Sequence, residues 1–258
     1  MNRFIAIQVV ARCNYAVAAI LKQAGILGAF MLNKLIVGHN SNTILRKSRF
    51  HDEKGNFVGL GKCLTHAPLA LSSGILRLLF DYRPRLPWIA YDTVSILEKF
   101  LTKDSRILEF GSGMSTVWYA KHAGEVFSVE DYFPWYEKVR VILENKQINN
   151  VHYCFTKSPQ DYKNFMVNDE FGFDLIMVDG SYRSACVLNT AKLLKPGGIL
   201  YLDNSDKHSS NLGGDTRLAE EYALTFAKEN KASVNYITDF APTQFFVNQG
   251  LMIKKTLS

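Results

Sequence analysis

Residues 108–116, LEFGSGMST, follow a short apolar run and set an acid, two glycines and three hydroxyl residues in nine positions. Glycine lets a chain turn sharply and lets a ligand approach the backbone, and a helix starting just beyond offers unpaired N–H groups. The stretch therefore reads as a cofactor loop between a strand and a helix, with Gly111, Gly113 and Ser115 as contacts. Nineteen residues beyond Gly111, Glu130 in SVEDY closes the next apolar run. A carboxylate there can accept both hydroxyls of an adenosine ribose. The dinucleotide pattern GxGxxG would need a third glycine where Thr116 stands, so a phosphate-free nucleotide suits the loop better than a dinucleotide. Glu109 has a use if that nucleotide carries a cationic amino-acid end.

Outward from this loop the pattern is regular. The runs RILEF, EVFSV, VHYCF, FDLIMV and GILYL alternate with the helical stretches FPWYEKVRVILENKQ and SACVLNTAKLL. Strands alternating with helices predict right-handed crossovers and a doubly wound, mainly parallel α/β sheet. Ligands of such sheets bind beyond the carboxyl ends of the strands. Asp179 follows the fourth run, and Asp203 with Asn204 the fifth. The polar stretch DNSDKHSSNLGGDTR, 203–217, reads as a long loop in which His208 is a solvated residue or a base. Trp88, Tyr91, Asp239 and Gln244 are further candidates for an acceptor pocket, the two aromatics equally readable as packing.

Before the regular region, residues 4–37 are apolar with isolated bases, residues 38–62 are polar and loop-like, and two helical stretches, APLALSSGILRLLF and YDTVSILEKFL, lead in. This divides the chain into a helical arm and linker, 1–62, and a main domain, 63–258. The arm has no charge-free run of the roughly 18 residues a spanning helix needs. It reads as a helical extension that contacts an anionic membrane surface, or as an arm packed on its own domain or on a second copy in a homodimer. Residues 1–50 hold seven bases and no acid, and removing those seven from the whole leaves 23 bases against 24 acids. The main body is close to neutral, so no basic groove for nucleic acid is expected. Four cysteines without a CxxC pair fit reduced thiols and a cytoplasmic setting, with the arm peripheral on the membrane, and six histidines without HExxH spacing give no zinc-hydrolase signature.

LEFGSGMST, SVEDY, FDLIMVDGSY and LLKPGGILYLDN together resemble the motifs of the class I S-adenosylmethionine-dependent methyltransferases, over roughly residues 87–255. The resemblance implies their seven-stranded sheet, with SVNYITDF and TQFFVNQGLMI as the last two strands and the final one antiparallel. It implies S-adenosylmethionine as cofactor and methyl transfer to a small-molecule or glycan acceptor. Asp179, Asp203 and Asn204 resemble the metal ligands of the catechol-type and sugar O-methyltransferases, which implies magnesium or manganese, hard ions that prefer such oxygen ligands. The same three residues are equally readable as turn caps. The catechol-type pattern places a lysine three residues after the first metal-binding Asp; here that position is Tyr182, a candidate for the catalytic or acceptor pocket beside Asp179. Two other functions fit the loop less well, a nicotinamide-dependent oxidoreductase and a cofactor-binding adaptor without catalysis.

Overall fold

The strands coincide with the apolar runs, except that β5 begins four residues before GILYL: β1 Arg106–Phe110, β2 Glu125–Glu130, β3 Val151–Phe155, β4 Phe173–Val178, β5 Leu194–Leu202, β6 Ser233–Ala241 and β7 Gln244–Lys254. The computed structural model describes residues 46–207 and 211–257, so the arm read from 1–37 and His208 lie outside the described residues. The strand order is β3-β2-β1-β4-β5-β7-β6. The first five strands pair in parallel, and β7 pairs antiparallel with β5 and β6, so β6 runs in the sense of β5. This is the Rossmann-like, seven-stranded sheet.

The helices are α1 Leu60–Phe80, α2 Tyr91–Phe100, α3 Met114–His122, α4 Phe133–Asn145, α5 Pro159–Lys163, α6 Arg183–Thr190 and α7 Asn211–Glu229. Two differ from the sequence expectation. Helix α1 starts at Leu60 and carries Pro68 within it, although proline removes an intrahelical donor and its neighbourhood reads as a break. Residues 211–217, expected in a loop, form the first turns of α7.

Strand periodicity sorts the core. Leu108, Phe110, Ile176, Val178, Leu200 and Leu202 face α6 and α7 on one side of the sheet. Ile107, Leu175, Met177, Ile199 and Tyr201 face α2 and α3 on the other. Each fully buried aliphatic side chain of this kind contributes about 1.5–3 kcal/mol. By the same alternation Glu109, Asp179 and Asp203 belong to the α2/α3 side.

The amino edge of the sheet is closed by Arg106, whose guanidinium binds both oxygens of Asp169 at 2.9 Å, Glu125 at 3.0 Å and the Gly172 carbonyl at 2.8 Å. This pairing holds the Asp169 carboxyl below its ordinary range.

Residues 46–59 contain neither helix nor strand, yet they are bonded into the domain. The buried Asp52 carboxylate accepts from Asn56, from Thr238 Oγ1 on β6 at 2.8 Å and from Gln249 Nε2 on β7 at 3.1 Å. Arg46 reaches the Val247 carbonyl and Asn248. These long-range bonds join residues 46–59 to the compact unit that holds the sheet.

Candidate active site

Gly111 turns the chain out of β1 with φ +92°, a conformation that L side chains rarely adopt. A Cβ at Gly111 would stand 2.6 Å from the backbone N and Cα of Gly180, so the loops after β1 and β4 touch main chain to main chain. Gly113 differs: its backbone is extended, and the nearest atom a Cβ would meet is Ser115 Oγ at 3.5 Å.

Three hydroxyls fasten this loop from below. The fully buried Glu109 carboxylate accepts from Ser115, from Thr116 at 2.6 Å and from Ser128 at 2.6 Å. The Thr116 oxygen in turn accepts from the Gly113 N–H at 3.0 Å. A third glycine at 116 could do neither. Burial pushes the Glu109 carboxyl up to about 7, against the three hydrogen bonds that favour its ionised form.

Above the loop, one Glu130 oxygen accepts from the Ser112 N–H at 3.1 Å and hydroxyl at 2.9 Å, and the other from the N–H groups of Asp131 and Tyr132. Trp135 Nε1 donates to the Ser112 carbonyl at 2.7 Å, and the Ser112 and Tyr153 hydroxyls lie 2.6 Å apart. Burial raises the Glu130 carboxyl. The indole N–H of Trp88, packed near Met114 and Trp135, is buried with no acceptor among the described residues.

The ends of β4 and β5 bring two more carboxylates together. Asp179 is 37% exposed through its side chain, whereas Asp203 is closed in. Burial raises both carboxyls, and the neighbouring Asp179 charge raises that of Asp203 further, while Arg183 works against the rise in each. Arg183, in the first turn of α6, donates to Asp179 Oδ1 at 3.0 Å and to the carbonyls of Asp179, Gly180 and Asp203. Asp215 from α7 fixes that turn by accepting from the N–H groups of Arg183 and Ser184. Tyr201 links Asp203 to Thr93 on α2 at 3.4 and 3.5 Å.

No family model and no curated protein sequence matches the chain. Solved structures do. The O-methyltransferase TomG from Streptomyces achromogenes, involved in tomaymycin synthesis and solved in complex with SAM, has a TM-score of 0.54 and 17% identity, covering 73% of this chain and 89% of that one. The O-methyltransferase from Bacillus cereus, solved in complex with SAH, has a TM-score of 0.52 and 17% identity, covering 73% of this chain and 99% of that one. The chain has the class I methyltransferase fold.

On that fold, Gly111, Gly113, Ser115 and Glu130 gather at one loop, and Asp179, Asp203 and Asn204 at the neighbouring strand ends. Asn204 sits at φ +51°. Glu109, a candidate partner of a ligand cation, accepts hydrogen bonds from three of the chain's own hydroxyls. One sequence expectation changes. Tyr182 was read as lying beside Asp179. Its ring instead packs at 5.8 Å from Tyr162, with Lys163 4.9 Å above it, on the opposite side of the sheet. The Tyr91 ring lies 5.3 Å from that of His66, Asp239 accepts from the Asp92 N–H on α2 and binds His66, and Gln244 bonds Asn248. Sequence reading missed Ser112, Trp135, Tyr153 and Arg183. Arg183 had a signal: it opens the helix that follows the short turn after Asp179.

Proposed function

We propose that the chain is an S-adenosylmethionine-dependent O-methyltransferase of a small-molecule or glycan hydroxyl. The observation that carries this reading is the junction of Gly111 with Gly180, which sets the loop bearing Gly113, fastened to Glu130 through Ser112, beside the partly open Asp179 carboxylate. The relatives in fold, TomG and the Bacillus cereus enzyme, are O-methyltransferases solved with SAM and SAH.

The sulfonium of this cofactor is already activated, so much of the rate comes from holding its methyl in line with the acceptor oxygen. Gly113 leaves room for the ligand to pass close to the main chain, Glu130 takes the ribose hydroxyls in exchange for Ser112, and the unpaired Trp88 N–H offers a further donor. As the new O–CH3 bond forms and the S–CH3 bond breaks, the hydroxyl proton passes to a carboxylate oxygen of the Asp179–Asp203 pair. Two carboxylates beside a carboxamide form a donor set suited to a hard divalent cation. Asp179, Asp203 and Asn204 would hold it, and bound there it would lower the pKa of the acceptor hydroxyl. The nicotinamide reading is weaker, because Thr116 is committed to Gly113 and Glu109 where close packing under a pyrophosphate asks for glycine.

Calorimetry with S-adenosylhomocysteine and with NAD tests the cofactor. The chain should bind the first and not the second, and Glu130→Ala should weaken that binding on the order of 10- to 100-fold, the worth of hydrogen bonds to a charged acceptor. Equal affinity in the variant, or binding of NAD, would sink the reading. Labelled methyl donor with fractionated acceptors tests the ion: transfer should stop in excess chelator and return with magnesium or manganese, with Asp203→Ala behaving like the chelated enzyme. Undiminished transfer in chelator would leave the three residues with a structural role.

A further inference from the structure

We infer that the outer face of α1 is a docking surface for an anionic phospholipid membrane. The helix has two unlike sides. Its inner side is fastened to the domain by polar bonds: Lys62 to Asp92 and the Thr238 carbonyl, His66 to Asp239, Ser73 to the Thr243 N–H and Arg77 to the Thr243 hydroxyl. Ala67, Ala70 and Gly74 let that side approach β6 and β7 closely. At 100° per residue the opposite side presents Leu60, Leu64, Ile75 and Leu79 as one stripe, flanked by Leu69 and ending in Phe80. Leu64 is 80% exposed, Leu60 75% and Phe80 72%. The helix is long and apolar enough to cross a bilayer, but its polar attachments hold it flat on the domain, the posture of an interfacial helix.

Charge selects the occupant. Residues 54–85 carry five bases and one acid; Lys54 is paired with Glu220, Lys62 with Asp92 and Arg83 with Asp81, which leaves Arg77 and the exposed Arg85 as cations without an acidic partner among the described residues. The exposed Phe80 and Tyr82 stand next to Arg83 and Arg85 at the helix end, the mixture of aromatics and bases that settles at headgroups. A second copy of the chain fits less well, since α1 contains no acid and two such helices would oppose bases with bases. Apolar stripes of this extent are rare on soluble surfaces without a partner.

The full chain, carrying Leu64→Glu, Ile75→Glu and Leu79→Glu together, should be compared with wild type in co-sedimentation with vesicles rich in phosphatidylglycerol and with pure phosphatidylcholine. Wild type should bind the anionic vesicles at low salt, and the triple variant should bind at least about 10-fold more weakly while melting at the same temperature, because the three side chains point away from the core. In a second variant, Leu79→Trp, the emission should shift to the blue and be quenched by brominated lipid. Residues 1–45 are intact in both proteins, so the loss reports on α1 alone. Wild type remaining in the supernatant, a triple variant that binds as wild type does, or a wild-type dimer that the triple variant dissociates without lipid would each overturn the inference.

Discussion

Gly111→Ala should melt roughly 4–24 °C below wild type or fail to accumulate, before any question of ligand arises. A non-glycine residue at φ +92° costs about 1–3 kcal/mol. The added carbon would also stand 2.6 Å from the Gly180 backbone, which has no flexible end to yield; overpacking of this kind adds a further ~1–3 kcal/mol. For a chain of this size each kcal/mol moves the melting temperature by roughly 2–4 °C. Gly113→Ala is the contrast, since its backbone is extended and a Cβ there meets nothing nearer than 3.5 Å. It should keep the wild-type melting temperature and lose affinity for S-adenosylhomocysteine. Thermal melts with calorimetry on the same samples check both variants. If Gly111→Ala melts as wild type does, the contact of the two loops is not what shapes this corner of the fold.

The second large effect is at Glu109. Glu109→Ala would leave the Ser115, Thr116 and Ser128 hydroxyls without their acceptor, and each unsatisfied buried group costs about 1–3 kcal/mol. The charge itself leaves a signature in pH. In the folded chain burial raises this carboxyl from 4.5 to about 7, so the native state binds the proton more tightly than the unfolded one. Its contribution is complete below the unfolded value and is lost as pH rises through about 7, a span worth roughly 3 kcal/mol at full burial. Denaturant unfolding should therefore show wild-type stability falling between pH 4.5 and 7 relative to Glu109→Gln, in which position 109 does not titrate. Parallel profiles for the two proteins would show that Glu109 does not change protonation on folding in that range.

The sheet was legible because its signals are local. RILEF, FDLIMV and the others are apolar runs bounded by polar turns, and the acids that matter, Glu130, Asp179 and Asp203, stand where such runs stop. What escaped reading depends on partners distant in sequence or on local cues that point the wrong way. Ser112 looks like a spacer between glycines until Trp135 and Tyr153, 23 and 41 positions later, converge on it. The start of α7, NLGGD, has a loop's composition and becomes helical under the constraint of Asp215 capping α6. Pro68 reads as a helix boundary, but it lies on the exposed side of α1, where the packing of Ala67 and Ala70 continues past it. Glu109 stands out in the sequence beside the glycines, but the three hydroxyls that reach it, one of them on the next strand, are seen only in three dimensions.

Asp52 bears on how such a domain can change over generations. Its carboxylate, Thr238 and Gln249 form one buried knot, and Gln249 passes the connection on to Ser205, next to Asn204 at the rim of β5. Losing Asp52 alone leaves the Thr238 hydroxyl without its acceptor and the Gln249 amide with only Thr238 to donate to, and restoring it is useful only while both are still present. The three positions should drift as a set, and a recombination breakpoint between residues 52 and 63 would be selected against, even though that interval resembles a dispensable hinge.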